Sequence, residues 1–155
     1  MNRKHLEISS KHIEKSIQLL QDAGERECVL LWLGRKEKAL QKIVEVYQPE
    51  QVGTMDYFEI PRNGMAALMV RLGMNDLYVV SQVHTHPGEA FHSYTDDRWA
   101  IVRHEGALSV VLPYFALSTT VENFLEQAAV YQLCRTNQWV EVRSGKLAQR
   151  LRIAP

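Results

Sequence analysis

The chain of 155 residues has the usual size of one domain, and its 46% apolar and 23% charged content is that of an ordinary water-soluble protein with one sizeable core. Eighteen basic and eighteen acidic side chains cancel. That balance argues against nucleic acid or an anionic membrane as partner and leaves a protein or a small molecule. No apolar run is long enough to span a bilayer, and the start Met1-Asn2-Arg3-Lys4-His5-Leu6-Glu7 lacks the apolar core of a secretion signal, so a cytoplasmic location is expected.

Residues Ser10 to Asp22 carry Ile13, Ile17 and Leu20 at helical spacing, with Ser9 or Ser10 as N-cap and Gly24 as the stop. The run from Glu27 to Gly34 is short, almost continuously apolar and entered by a carboxylate, which predicts a buried strand with Glu27 at its mouth. Two further strands are predicted over Ala39 to Tyr47 and Val52 to Ile60. Pro61 opens a second helix with Met65, Leu68, Met69 and Leu72 on its core face and Gly73 at its end. A strand from Leu77 to His84 follows, with Pro87-Gly88 as the turn out of it.

Ser93 to His104 is predicted as a helix, Ser93 being the N-cap and Asp96 the third helical residue. Ala107 to Leu112 makes a strand closed by Pro113, and Thr119-Thr120-Val121-Glu122 caps a short helix from Asn123 to Ala128. The tail divides into strands over Val130 to Arg135, Trp139 to Arg143 and Leu147 to Ile153, with a helix through Tyr131 to Cys134 as the alternative. This order describes one α+β domain, residues 1–155, around a mixed or antiparallel sheet flanked by helices. Cys28 and Cys134 lie far apart in apolar surroundings, the pattern of buried free thiols rather than of a disulfide or a thiolate metal site.

The chemistry concentrates in His84-Thr85-His86-Pro87 and Ser93-Tyr94-Thr95-Asp96. On a strand, alternation sends His84 and His86 to one face, where both reach one ion, and Asp96 in the first turn of the next helix completes a three-ligand catalytic zinc set. Glu27 is the candidate base for an attacking water, with Glu25 beside it as a rival. Ser93 is a candidate donor to an oxyanion as well as a cap. His92 and His104 read as surface or core residues, Trp99 as packing, and Phe91 as either packing or the wall of a substrate groove.

Together Glu27, the pair His84 and His86 with Pro87, and Ser93 with Asp96 resemble the JAMM motif of the JAB/MPN metalloprotease family. The resemblance implies a cytidine-deaminase-like α/β/α sandwich with a curved sheet, and zinc held by His84, His86 and Asp96. It also implies Glu27 as general acid/base, Ser93 at the oxyanion, and isopeptide hydrolysis releasing ubiquitin or ubiquitin-like proteins. The chain is similar to compact stand-alone bacterial members, some of which accompany E1-like and E2-like proteins in conjugation or antiphage defence. The loop Gly88 to His92 is one residue shorter than the usual motif, so Asp97 stands as the alternative third ligand. Two other readings stay open, a metal-free scaffold of the same fold and a zinc hydrolase of a small amide or an unrelated peptide.

Overall fold

The computed structural model describes residues 5–35, 40–93, 96 and 100–155. Its strands and two long helices in chain order are β1 (His5–Ser9), α1 (Ser10–Asp22), β2 (Val29–Gly34), β3 (Leu40–Tyr47), β4 (Val52–Gly53), β5 (Phe58–Glu59), α2 (Arg62–Asn75), β6 (Tyr78–Thr85), β7 (Leu108–Leu112), β8 (Ala129–Leu133), β9 (Trp139–Glu141) and β10 (Leu151–Ala154). Eight of the strands form one mixed sheet in the order β10-β1-β3-β2-β6-β7-β8-β9, and β4 with β5 makes a separate two-stranded sheet.

Strand β2 is buried at every position because both of its faces are covered. Leu30 and Trp32 pack with Ile13, Ile17 and Leu20 of α1, whereas Val29, Leu31 and Leu33 pack with Leu68 of α2 and its neighbours Met65 and Leu72. The predicted α+β architecture with helices on opposite faces of a mixed sheet is therefore the observed one. Helix α1 begins where Ser9 accepts the His12 N–H at 3.2 Å and ends ahead of Gly24, whose φ of +62° favours glycine.

Several elements differ from the sequence expectation. Strand β1 was not foreseen; it pairs in parallel with both β3 and β10. The segment Val52 to Ile60 is a hairpin rather than one strand, because the Thr54 hydroxyl bonds Asp56 at 3.0 Å and accepts the Tyr57 N–H at 3.3 Å, turning the chain. Helix α2 runs past Gly73 to Asn75 and stops at Asp76, which adopts the left-handed conformation and caps back to the Leu72 carbonyl. Met69 faces outward, 61% exposed, so only part of the predicted apolar stripe is core.

The helix expected from Ser93 to His104 does not reach its predicted end. Asp96 is helical, but from Ala100 onward the chain is irregular, and the Ile101 and Val102 amides bond the Gln82 side chain rather than a helical carbonyl. Near the C-terminus β10 is confined to Leu151–Ala154 after a short helix Ser144–Leu147, and residues 131–133 are strand, not helix.

Candidate metal centre

The pairing register of β2 with β6 builds the site. Val29 stands opposite His84 and Leu31 opposite Gln82 in this antiparallel pair. Past the last paired position, Cys28 and Thr85 stay joined by Thr85 N–H to the Cys28 carbonyl and by Cys28 N–H to Thr85 Oγ1, both at 3.2 Å. The same register brings Glu27 across from His86, and alternation puts Glu27, His84 and His86 on one face. Parallel pairing of β6 with β7 continues through His86 N–H to the Leu112 carbonyl at 3.0 Å, so the histidine pair is fixed from both sides.

Asp96 arrives from the following turn. Its amide donates to Ser93 Oγ at 3.0 Å and its Oδ2 accepts the Ser93 N–H at 2.8 Å, the reciprocal cap anticipated from the sequence. Its two carboxylate oxygens lie 3.2 Å from His84 Nε2 and 3.0 Å from His86 Nε2. Burial works to raise the Asp96 carboxyl, but the two imidazoles and the Ser93 N–H overcome it and hold the group far below the ordinary carboxylate range.

Among the described residues His84, His86 and Asp96 form the one group with metal-ligand geometry, their donor atoms lying within 4.8 Å of one another. His84 supplies the test of fit. It is fully buried, yet neither ring nitrogen makes a hydrogen bond among the described residues, although Nε2 lies 3.2 Å from an Asp96 oxygen. Leaving such atoms unpaired costs about 1 to 3 kcal/mol each, and a cation between the three side chains would satisfy Nε2 directly.

Glu27 is buried, with 7% exposure, and lines a cleft of about 960 Å³ together with His86, Ser93 and Asp96. Burial, helped by Asp96 and Asp56 and opposed by His86, pushes its carboxyl up to about 7. Its backbone is held from the other side by the loop before the hairpin. Gln51 pairs with both the N–H and the carbonyl of Val29, at 2.8 and 2.9 Å, and the Glu27 N–H donates to the Thr54 carbonyl at 2.7 Å. Ser93 Oγ accepts the Asp96 N–H in its cap but keeps its own O–H to donate.

Glu25 is exposed and does not line the cleft. Phe91, 52% exposed, walls the cleft beside Tyr57, Phe58, Ile60, Met65 and Ile101. His104 lies elsewhere, bonded to the Val79 carbonyl at 2.8 Å. Asp97 and Trp99 fall outside the described residues. Three contributors escaped the sequence reading: Gln51, the Gln82 amide beneath the histidines, and a turn at Tyr114–Ala116. In that turn the Tyr114 and Phe115 N–H groups hold the Gly88 and His86 carbonyls at 3.0 and 2.9 Å. Gln82 alone left a trace, as an amide within the strand that leads into the histidine pair.

No helix among the described residues is long and apolar enough to cross a membrane. No family model matches the chain. In fold it is similar to the solution structure of protein DSY2949 from Desulfitobacterium hafniense, with a TM-score of 0.69 over 96% of this chain and 92% of that one at 14% identity. In sequence it is 34% identical over 132 residues to the probable metalloprotease y4jG of Sinorhizobium fredii (strain NBRC 101917 / NGR234), covering 82% of this chain and 79% of the relative. With a group of side chains that could hold a metal ion and that degree of identity, the chain belongs to the metalloprotease family of this relative.

Proposed function

We propose that the protein is a zinc-dependent isopeptidase or peptidase that cleaves after the C-terminus of a ubiquitin-like protein, freeing it from a target or maturing a precursor. The observation that carries the reading is the convergence of His84, His86 and Asp96, the last two lining a cleft shared with Glu27 and Ser93. Two imidazoles and a carboxylate suit zinc, which when bound acidifies water and polarises a carbonyl. Glu27, poised by its surroundings near neutrality, takes the proton of the attacking water and returns it to the departing amine. The Ser93 hydroxyl donates to the oxyanion as the carbonyl becomes tetrahedral.

A flexible substrate tail is held most economically by backbone pairing, and the extended segment Phe58–Glu59 on the cleft wall offers such a partner. E1-like and E2-like proteins are the expected companions of this activity. The apolar wall of Tyr57, Phe58, Ile60, Met65 and Phe91 also favours a second reading, hydrolysis of a peptide or small amide with a bulky apolar group beside the scissile bond.

One experiment tests both. Purified protein is analysed for metal, then incubated with ubiquitin-like fusions and with small apolar amides, and each cut is located by mass. Cleavage at the end of the ubiquitin-like moiety supports the first reading, and cleavage of the amides alone supports the second. Glu27→Gln is expected to keep stoichiometric metal and lose turnover. Protein without bound metal, or near-normal turnover in that variant, overturns the mechanism.

A further inference from the structure

Gln82 is 2% exposed and sits on the same face of β6 as the two histidines. Its side-chain oxygen accepts the Ile101 N–H at 2.8 Å and lies 3.5 Å from the Val102 N–H. Two backbone donors fix which end of the amide is oxygen, so the NH₂ must point the other way, where it donates to Ser109 Oγ at 3.1 Å. Ser109 is fully buried and stands beside Gln82 in the β6–β7 register. Having accepted from Gln82, its hydroxyl has one proton to give, and His92 Nε2 lies 3.0 Å away. In the tautomer that carries the ring proton on Nδ1, His92 Nε2 accepts from the Ser109 hydroxyl.

The same imidazole is packed against Tyr131 and Trp139, with ring centroids 5.0 Å from each, and turns an edge to His84 at 6.2 Å. His92 directly precedes Ser93, whose amide and hydroxyl hold Asp96. Asp96 is the one ligand not carried by β6 and its immediate end, so its distance from the pair depends on where residues 92 and 93 are anchored. The start of this loop is held separately, through the His86 and Gly88 carbonyls.

We propose that Gln82, Ser109 and His92 form a directed hydrogen-bond chain that positions the Ser93–Asp96 turn against His84 and His86, with His92 as the positioning residue. The inference rests on the metal-centre reading above. A phenylalanine at 92 would fill the space between Tyr131 and Trp139 equally well, but it offers nothing to the Ser109 proton. The imidazole is required for its acceptor, and the acceptor sets the loop.

The test uses Ser109→Ala, His92→Phe and His92→Gln in the cobalt-loaded holoenzyme, with circular dichroism as the check on folding. Ser109→Ala and His92→Phe are each expected to weaken metal affinity about 10- to 100-fold, to alter the cobalt absorption bands, and to lower kcat with KM unchanged. His92→Gln, whose amide oxygen accepts the same proton, is expected to recover most of the affinity. The double variant Ser109→Ala/His92→Phe is expected to be no worse than the weaker single one, since both cut the same chain. Wild-type affinity and cobalt bands in the two single variants, or effects that simply add, overturn the proposal even if thermal stability falls. Wild-type protein that takes up no cobalt refutes the metal centre itself, and this inference falls with it.

Discussion

Gly53 packs its α-carbon directly against the backbone carbonyl of Glu27, and a Cβ at position 53 would overlap that oxygen. The neighbouring Glu27 N–H to Thr54 carbonyl bond, at 2.7 Å, closes the same contact. The position of the proposed base is therefore set by a residue 26 places away in sequence that bears no functional group. Gly53→Ala must push residue 27 or the hairpin aside, at a cost of about 1 to 3 kcal/mol. Turnover is expected to fall at least tenfold while metal stoichiometry stays near one. Steady-state kinetics beside metal analysis checks this, and unchanged turnover would show that Glu27 does not depend on Gly53.

The burial that poises Glu27 also destabilises the fold. Its carboxyl, 4.5 ordinarily, is raised to about 7 in the folded protein, so the folded state holds its proton more tightly than the unfolded one. The associated stability is fully present below about pH 4.5 and is lost as pH rises through about 7. In chelator-treated protein, Glu27→Gln is expected to be the more stable form at pH 8 by roughly 1 to 3 kcal/mol, with the difference vanishing near pH 4.5. Urea denaturation at both pH values measures it. A bound cation favours the carboxylate and should shrink the difference.

How far this site was legible in the sequence follows from the range of the interactions involved. The His84-x-His86 alternation and the Ser93-x-x-Asp96 cap are local, and both stand in the structure where local rules put them. Glu27 was legible as a carboxylate entering a buried strand, but its place opposite His86 is a matter of strand register, which no local pattern states. Gln51, Gln82 and Gly53 act through pairings made only when distant segments meet. The hairpin at 52–59 was misread as a strand because Thr54, Met55 and Asp56 interrupt the alternation without a proline or a second glycine to mark the turn.

The two thiols should separate cleanly by reactivity. Cys28 is 2% exposed, and burial pushes its thiol up to about 11, with the Gln48 amide at 3.6 Å opposing the shift. Cys134 is partly exposed near the sheet edge. Since the thiolate is the reactive form, an aromatic disulfide reagent at pH 8 is expected to modify Cys134 in the native protein and Cys28 only on unfolding. Peptide mapping after a short exposure decides it. Because Cys28 adjoins Glu27 and is clamped to Thr85, its early labelling would report opening of the site itself.

Tyr114, Phe115 and Ala116 have φ of 51°, 54° and 58°, three successive non-glycine residues in the left-handed region. Each costs about 1 kcal/mol or more, and the turn persists because it is held on both sides. The Gln21 amide donates to the Ala116 carbonyl at 2.9 Å, while the Tyr114 and Phe115 amides grip the Gly88 and His86 carbonyls. Tyr114 is half exposed, so its substitution tests the backbone with little loss of core. Tyr114→Gly relieves the conformational cost, though glycine loses more freedom on folding, and its stability is expected to stay within about 1 kcal/mol of the parent. Tyr114→Val, β-branched and poorly suited to positive φ, is expected to lose about 2 kcal/mol and to weaken metal binding by releasing His86 and Gly88. Thermal denaturation and metal competition on the pair give the answer. Equal stability and equal metal affinity in the two variants would mean that the left-handed turn neither strains the chain nor holds the ligand loop.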